Sequence, residues 1–121
     1  MTVLVAVPDS PEGFAALAAA RSEAERLGAD LVVVNLALRQ LDASFLPDGV
    51  VTTVLDRHGR SDRDPVDAVL DAVEQYGAQR LVIGVKRRST VGKALLGSVS
   101  QRLLLDAPIP VLAVKVDLEA A

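Results

Sequence analysis

The chain has 121 residues, half of them apolar, and a formal net charge of −3. Set against a typical domain of roughly 150 residues, this length predicts one domain over residues 1–121. Only three residues are aromatic, so a binder that stacks nucleic-acid bases on aromatic rings would have almost nothing to stack them on. The chain contains no cysteine, which excludes disulfides and thiolate metal sites. Because no cysteine, no signal peptide and no apolar run of about 18 residues is present, we expect a cytoplasmic protein.

Predicted strands alternate with predicted helices along the chain. Short apolar runs are typical of strands that are buried on both faces of a sheet. Ser10-Pro11 and Asp64-Pro65 are helix starts, because each places a capping side chain before a proline, and Gly28 and Gly77 are natural helix ends. This alternation predicts an α/β fold with a doubly wound parallel sheet. The predicted strands are 3–7, 31–36, 50–55, 80–84 and 111–116, and a third helix is predicted over 98–105.

The ligand crevice of such a sheet lies beyond the carboxyl ends of its strands, where the winding direction reverses. Three loops therefore matter: the loop at Pro8 and Asp9, the loop at Leu36, and the loop that begins at Gly84. The last of these lies in a basic part of the chain. Residues 78–115 hold seven basic side chains and one acidic one, against six basic and fifteen acidic in the rest. This asymmetry favours a local anion site or, alternatively, a solvated basic loop, and it is too small for strong nucleic-acid binding.

The segment 84–100 has the features of a phosphate site. Gly84 leaves a predicted strand, a basic loop follows, and Gly97-Ser98 opens a helix whose first N–H groups attract anions. Glycine at 84 and 97 allows a positive φ and a close approach of the main chain to a phosphate. Ser98 and Ser100 each add a hydroxyl. The structural alternative is that Gly84 ends a strand, Gly97 ends a turn and Ser98 caps its helix.

Two common phosphate motifs are absent from the sequence. The P-loop pattern fails because Gly92-Lys93 is followed by Ala94, and Arg87 stands where that motif has its first glycine. The dinucleotide pattern G-x-G-x-x-G fails because the turn after the first strand is Val-Pro-Asp-Ser, residues 7–10.

The chain resembles the universal stress protein (UspA-like) family over essentially its whole length. The similarity is carried by Ser-Pro-Glu at 10–12, Leu-Leu-Gly-Ser-Val-Ser at 95–100 and Ala-Pro-Ile-Pro-Val-Leu-Ala-Val at 107–114. It implies the adenine-nucleotide α-hydrolase-like fold with strand order 3-2-1-4-5. It also implies homodimers, often paired through the last strand, and ATP or AMP, with Mg²⁺ accompanying the phosphates, in some members.

The spacing G-x2-G-x9-G-[ST] is the ATP-binding signature of that family, and Gly84, Gly97 and Ser98 match it here. The chain departs from the pattern twice. Arg87 replaces the second glycine, and Pro8 replaces the aspartate that contacts the nucleoside, with Asp9 one residue later. The residues assigned to a nucleotide by this resemblance are Asp9, Leu36, Gly84, Lys86, Arg87, Gly97, Ser98, Val99 and Ser100.

Two functions follow from the match and its departures. The first is a regulatory module that binds an adenine nucleotide, with Lys86 or Arg87 adding charge at the phosphates. The second is a protein-interaction module that binds no nucleotide, because Arg87 fills the phosphate space. An enzyme is not expected, beyond slow incidental ATP hydrolysis, because no Ser lies in a nucleophile motif and no base for a water is evident.

The remaining polar residues favour structural roles. His58 is the only histidine, and a lone histidine in a polar segment is most often solvated. Asp64 is explained as a helix cap, Asp67 as a first-turn acid and Asp71 as part of an exposed face, so with Asp62 they do not predict a metal site.

The last predicted strand, 111–116, is apolar and expected at a sheet edge. An apolar edge strand pairs readily with another chain, so we expect a symmetric homodimer through this strand. Coverage of the edge by residues 117–121 is the alternative.

Overall fold

The chain folds into one sheet with helices on both faces. The computed structural model describes residues 1–37, 40–41, 44, 48–56, 64–88, 93–95 and 97–117, with the backbone alone for 87, 88, 93–95 and 117. The elements are β1 (Thr2–Val7), α1 (Pro11–Leu27), β2 (Asp30–Asn35), β3 (Thr52–Leu55), α2 (Pro65–Tyr76), β4 (Arg80–Arg88), β5 (Lys93–Leu95), α3 (Ser98–Asp106) and β6 (Val111–Asp117).

The five parallel strands lie in the order β3-β2-β1-β4-β6. The predicted α/β class and the predicted order 3-2-1-4-5 are therefore confirmed, with β6 as the fifth parallel strand. The chain winds from β1 outward to β3 and then crosses back to β4 on the other side of β1. The winding direction thus reverses between β1 and β4, which is where such sheets form a ligand crevice.

The fourth strand is longer than predicted. The sequence indicated a strand that ends at Gly84, but β4 continues to Arg88 and pairs with β5, which returns antiparallel to it. The reason is a long-range one: the pairs between β4 and β6 run from Leu81–Val111 to Arg87–Asp117, so β6 supplies hydrogen-bond partners for a polar segment. The start of the predicted basic loop is therefore part of the sheet.

Two helices are capped as predicted, and the third is not. The Ser10 hydroxyl accepts a hydrogen bond from the Gly13 N–H at 3.1 Å, and an Asp64 carboxylate oxygen accepts one from the Val66 N–H at 2.8 Å. Gly28 and Gly77 end their helices with φ of 63° and 58°.

In α3 the cap position belongs to Gly97, which has no side chain to bond, so the interpretation of Ser98 as the cap is wrong. Gly97 does not use the positive φ that glycine allows, because its φ is −64°. Gly84 is likewise not among the described glycines with positive φ; it lies within β4.

Two apolar layers cover the sheet. On one face α1 packs on side chains such as Val3, Val5 and Val33, all of which are fully buried. On the other face α2 and α3 pack on side chains that include Leu4 and Ile83. Successive side chains of a strand point to opposite faces of the sheet. Continuous Val- and Leu-rich runs therefore supply apolar side chains to the layers on both faces.

The main chain of α1 approaches other backbone segments closely at two glycines, β4 at Gly84 and the turn after β1 at Gly13. A Cβ built on Gly84 would lie 2.1 Å from the carbonyl oxygen of Glu12, and one built on Gly13 would lie 2.1 Å from the carbonyl oxygen of Pro8. Atoms at that separation overlap, and backbone atoms cannot rotate away as the end of a side chain can. Glycine is therefore required at position 84 by the packing of α1.

Gly84→Ala should lower the free energy of unfolding by about 2–3 kcal/mol, because the added methyl group forces α1 away from β4. Gly97→Ala is the matched control. Its added Cβ would meet nothing within 4 Å, so we expect a loss below about 1 kcal/mol, the cost of an unfavourable N-cap residue. Urea unfolding of both variants measures the difference. Equal stability of the two variants would contradict the close approach.

Candidate functional site

A cavity of about 210 Å³ lies at the carboxyl ends of the central strands, on the face covered by α2 and α3. It lies where the sheet reverses its winding direction, between the ends of β1 and β4. Its walls are largely apolar. The described residues that line it are Ala6, Pro8, Leu36, Pro65, Ile83, Gly84, Val99, Ser100 and Leu103.

Four of the residues predicted for a nucleotide come together in these walls: Leu36, Gly84, Val99 and Ser100. Leu36 directly follows β2 and donates its N–H to the Val7 carbonyl at 3.0 Å, which keeps it beside the end of β1. The main chain of Gly84 contributes the wall from β4. Val99 and Ser100 belong to the first turn of α3, so the start of this helix faces the end of the sheet.

A hydrogen bond joins α3 to β4 at the cavity. The Ser100 hydroxyl donates to the Gly84 carbonyl over 3.3 Å. Gly97 and Ser98 are exposed at the beginning of the same helix and are not among the lining residues. The first N–H groups of a helix have no partner within the helix and carry its positive end of the dipole. The α3 start can therefore hold an anion next to the cavity.

Lys86 lies away from the cavity. Its ammonium nitrogen is 3.5 Å from Oε2 of Glu12, which belongs to the first turn of α1 on the other face of the sheet. Successive side chains of a strand point to opposite faces of the sheet. Lys86 therefore lies on the α1 face with Gly84 and Val82, whereas the side chain of Ile83 lines the cavity on the other face. The carboxylate of Glu12 is buried, and its Oε1 has no hydrogen-bond partner within the described part of the chain.

Asp9 and Arg87 were also predicted to contact a nucleotide. Asp9 is exposed and is not among the residues that line the cavity, whereas its neighbour Pro8 is. The backbone of Arg87 lies in β4 between Ala94 and Asp117. The side chain of Arg87 lies outside the described part of the structure, as do His58 and Asp62.

Acidic residues from the rest of the chain pair with three of the basic side chains of the segment 78–115. Besides the Lys86–Glu12 pair, Arg80 bonds Glu23 at 2.9 Å and Arg102 bonds Asp64 at 3.0 Å. Part of the positive charge of this segment is therefore used within the fold, and the local anion site stays a prediction. Opposite charges that are far apart in sequence meet because β4 and α3 lie beside α1 and α2.

The Arg102–Asp64 pair links the two helices that flank the cavity. Asp64 caps α2 just before Pro65, and Arg102 stands beside Leu103 in α3; both neighbours line the cavity. The hydrogen bond from Arg102 and that from the Val66 N–H hold the pKa of Asp64 below its ordinary value, and Asp64 in turn raises the pKa of Arg102. The sequence identified Asp64 as a cap but gave no signal for its distant partner.

Asn35 is a buried polar residue at this end of the sheet that the sequence analysis did not identify. Its amide nitrogen donates to Oδ1 of Asp56 at 2.7 Å, and its amide oxygen accepts from the Ala37 N–H at 3.0 Å. These bonds fix the chain where it leaves β2, directly beside Leu36. The signal in the sequence was an asparagine within an otherwise apolar run, since a buried amide requires partners.

The described residues form neither a metal-ligand cluster nor a membrane-spanning helix. Among the described residues no group of three or more His, Asp or Glu side chains is arranged to hold a metal ion, and Asp67 and Asp71 lie in α2. Within the same residues no helix is long and apolar enough to cross a membrane.

The fold and the cavity together define a doubly wound α/β protein with an apolar crevice at its switch point, closed on one side by a helix N-terminus. Residues 51–115 match the sequence model of the Universal stress protein family. A universal stress protein of Mycolicibacterium smegmatis is 39% identical, over 93% of this chain and 96% of that protein. The chain therefore belongs to the universal stress protein family.

Solved structures show the same architecture. A universal stress protein from Archaeoglobus fulgidus is similar with a TM-score of 0.74 and 26% identity, over 95% of this chain and 98% of that one. A universal stress protein structure from the same organism, in complex with dAMP, is similar with a TM-score of 0.69 and 24% identity, over the same shares.

Proposed function

We propose that this chain is a regulatory module that binds an adenine nucleotide in the cavity between Leu36 and the start of α3. The observation that carries this proposal is the position of the cavity. It lies at the switch point of the sheet, with apolar walls for a planar base at one end and helix N–H groups for an anion at the other. A structural relative was solved in complex with dAMP, which supports nucleotide binding by a protein of this fold.

The size of the cavity suggests how a nucleotide lies. About 210 Å³ is smaller than the ~300–1,000 Å³ of typical small-molecule pockets, so it suits the base and sugar but not the phosphates as well. We place the phosphates outside it, along Gly97, Ser98 and the first turn of α3. Mg²⁺ then arrives with the phosphates, not through a cluster of protein ligands.

We assign the charge at the phosphates to Arg87 and not to Lys86, because Lys86 must leave Glu12 in order to reach an anion. We propose that the module responds to nucleotide without catalysing a reaction. It acts in the cytoplasm, an assignment that rests on the absence of cysteine from the chain.

The second candidate function is a protein-interaction module that binds no nucleotide. Arg87 favours it, because this residue replaces a glycine of the signature G-x2-G-x9-G-[ST] and its side chain has the charge and length to fill a phosphate position. The two functions differ in what Arg87 does: in the first it attracts the phosphates, and in the second it displaces them.

Isothermal titration of the purified chain with Mg-ATP and with AMP separates the two functions. The proposal predicts a micromolar Kd for the unaltered chain and weaker binding by Arg87→Gly, which loses a cation. Arg88→Gly serves as the matched control for a lost charge at the neighbouring position. No heat from the unaltered chain, together with binding gained by Arg87→Gly, would contradict the proposal and establish the interaction module.

We further propose that the module is a homodimer that pairs through β6. Within the described residues β6 is an outer strand of the sheet, bonded to β4 on one side, and no strand pairs with its other side. Leu112 of this strand is 38% exposed. An apolar edge strand presents backbone N–H and C=O groups that pair readily with another chain, and a second copy related by a two-fold axis would provide that pairing.

Analytical ultracentrifugation should give twice the chain mass of 12.7 kDa for the unaltered protein. Leu112→Glu should shift the mass towards the monomer, because it places like charges across the two-fold axis. Val51→Glu is the control, since Val51 is 71% exposed beside β3, at the opposite edge of the sheet. A monomeric unaltered protein, or dissociation by Val51→Glu alone, would contradict pairing through β6.

A further inference from the structure

Pro8 occupies the middle of the cavity wall. In the sheet, β1 lies between β2 and β4. Pro8, the first residue after β1, therefore lies between Leu36 after β2 and Gly84 in β4, and all three residues line the cavity. A ligand that extends from Leu36 to the start of α3 has to pass Pro8 with its central part. In a nucleotide with its base at Leu36 and its phosphates at α3, the central part is the sugar.

The surface that Pro8 offers to this central part is apolar. Proline has no backbone N–H to donate. Its carbonyl oxygen accepts the Ser10 N–H at 2.9 Å and lies against Gly13, so it is engaged in the turn that begins α1. What remains for a ligand is the pyrrolidine ring.

The groups around Pro8 strengthen this apolar character. Ala6 precedes it in the wall and Ile83 lies on the neighbouring strand. Asp9 follows it in the chain but is exposed and outside the lining. The serine in the wall, Ser100, donates its hydroxyl to Gly84, at the end where the phosphates are placed. Among the described residues that line the cavity, no side chain beside Pro8 therefore presents a donor or acceptor to a sugar hydroxyl.

We propose that the cavity recognises the base and the phosphates of a nucleotide but not the hydroxyl groups of its sugar. Ribonucleotides and deoxyribonucleotides then bind equally well, and Pro8 is the residue that determines this lack of discrimination. A site that hydrogen-bonds a substrate hydroxyl rejects the analogue that lacks it, because the polar groups of the protein are then left unpaired. An apolar wall has no polar group of its own to leave unpaired with either nucleotide. This inference rests on the proposed nucleotide binding.

The experiment compares Mg-ATP, Mg-dATP and Mg-2′,3′-dideoxy-ATP by titration calorimetry on the unaltered chain. The three Kd values should agree within about twofold. A Kd for ATP that is at least tenfold lower than for the dideoxy analogue overturns the inference and leaves nucleotide binding standing. If none of the three binds, nucleotide binding fails and the inference fails with it, so the two failures are distinguishable.

Two variants test whether Pro8 is responsible. Pro8→Asp introduces a carboxylate that accepts hydrogen bonds from sugar hydroxyls, so ATP should become favoured over the dideoxy analogue by about tenfold. Pro8→Ala removes the ring without adding an acceptor, so for this variant the ratio of the Kd for the dideoxy analogue to the Kd for ATP should stay near one. Circular dichroism confirms that each variant is folded. An unchanged Kd ratio in folded Pro8→Asp overturns the role of Pro8. If that variant does not fold, the titrations of the three nucleotides on the unaltered chain test the inference by themselves.

Discussion

The close packing of the first turn of α1 against the end of β4 determines the geometry of the candidate site. Gly84 lies at the centre of this contact. The carbonyl of Glu12 leaves no room for a Cβ on Gly84, and the carbonyl of Gly84 accepts a hydrogen bond from the Ser100 hydroxyl of α3. Two residues further along β4, Lys86 pairs with the Glu12 side chain. Helix α1 thus covers one face of the sheet up to its carboxyl end, while α3 is bonded at the other face. The cavity lies on the face of α2 and α3, and its ligand has to enter from that side.

The distribution of charge follows from the same packing. A basic segment of the sequence suggested an anion site, yet Arg80, Lys86 and Arg102 bond to acidic side chains of α1 and of the α2 cap. Arg26 and Arg80 both bond the buried Glu23 and keep its pKa below the ordinary value, at the end of β4 remote from the cavity. Because Arg80, Lys86 and Arg102 are engaged in these pairs, attraction for a phosphate at the cavity would have to come from the backbone N–H groups at the start of α3 and from Arg87.

Much of the fold was predictable because its signals are local. Capping side chains before prolines and glycines at helix ends indicated α1 and α2, and buried apolar runs indicated the parallel strands of the described part of the chain. The extension of β4 to Arg88 was not predictable, since it depends on pairing with β6, which is distant in sequence, and β5 was missed with it because β5 pairs with that extension. Because that extension was predicted to be a loop, the orientation of Lys86 was not predicted either. Strand alternation places its side chain on the α1 face. The sequence placed Leu36, Gly84, Val99 and Ser100 in one candidate site. The partners of Asn35 and Asp64, which are Asp56 and Arg102, lie 21 and 38 residues away and leave no local signal.

The central claim is that this cavity is where a nucleotide binds, and amide NMR spectra recorded during a titration with AMP test it most directly. The account predicts concentration-dependent shifts for Leu36, Gly84, Ser98, Val99 and Ser100, which surround the cavity and begin α3, and unchanged signals for residues of α1 remote from it, such as Arg21 and Glu25. Shifts that instead cluster on α1 or on the outer edge of β6, or spectra that do not change at millimolar AMP, would contradict it.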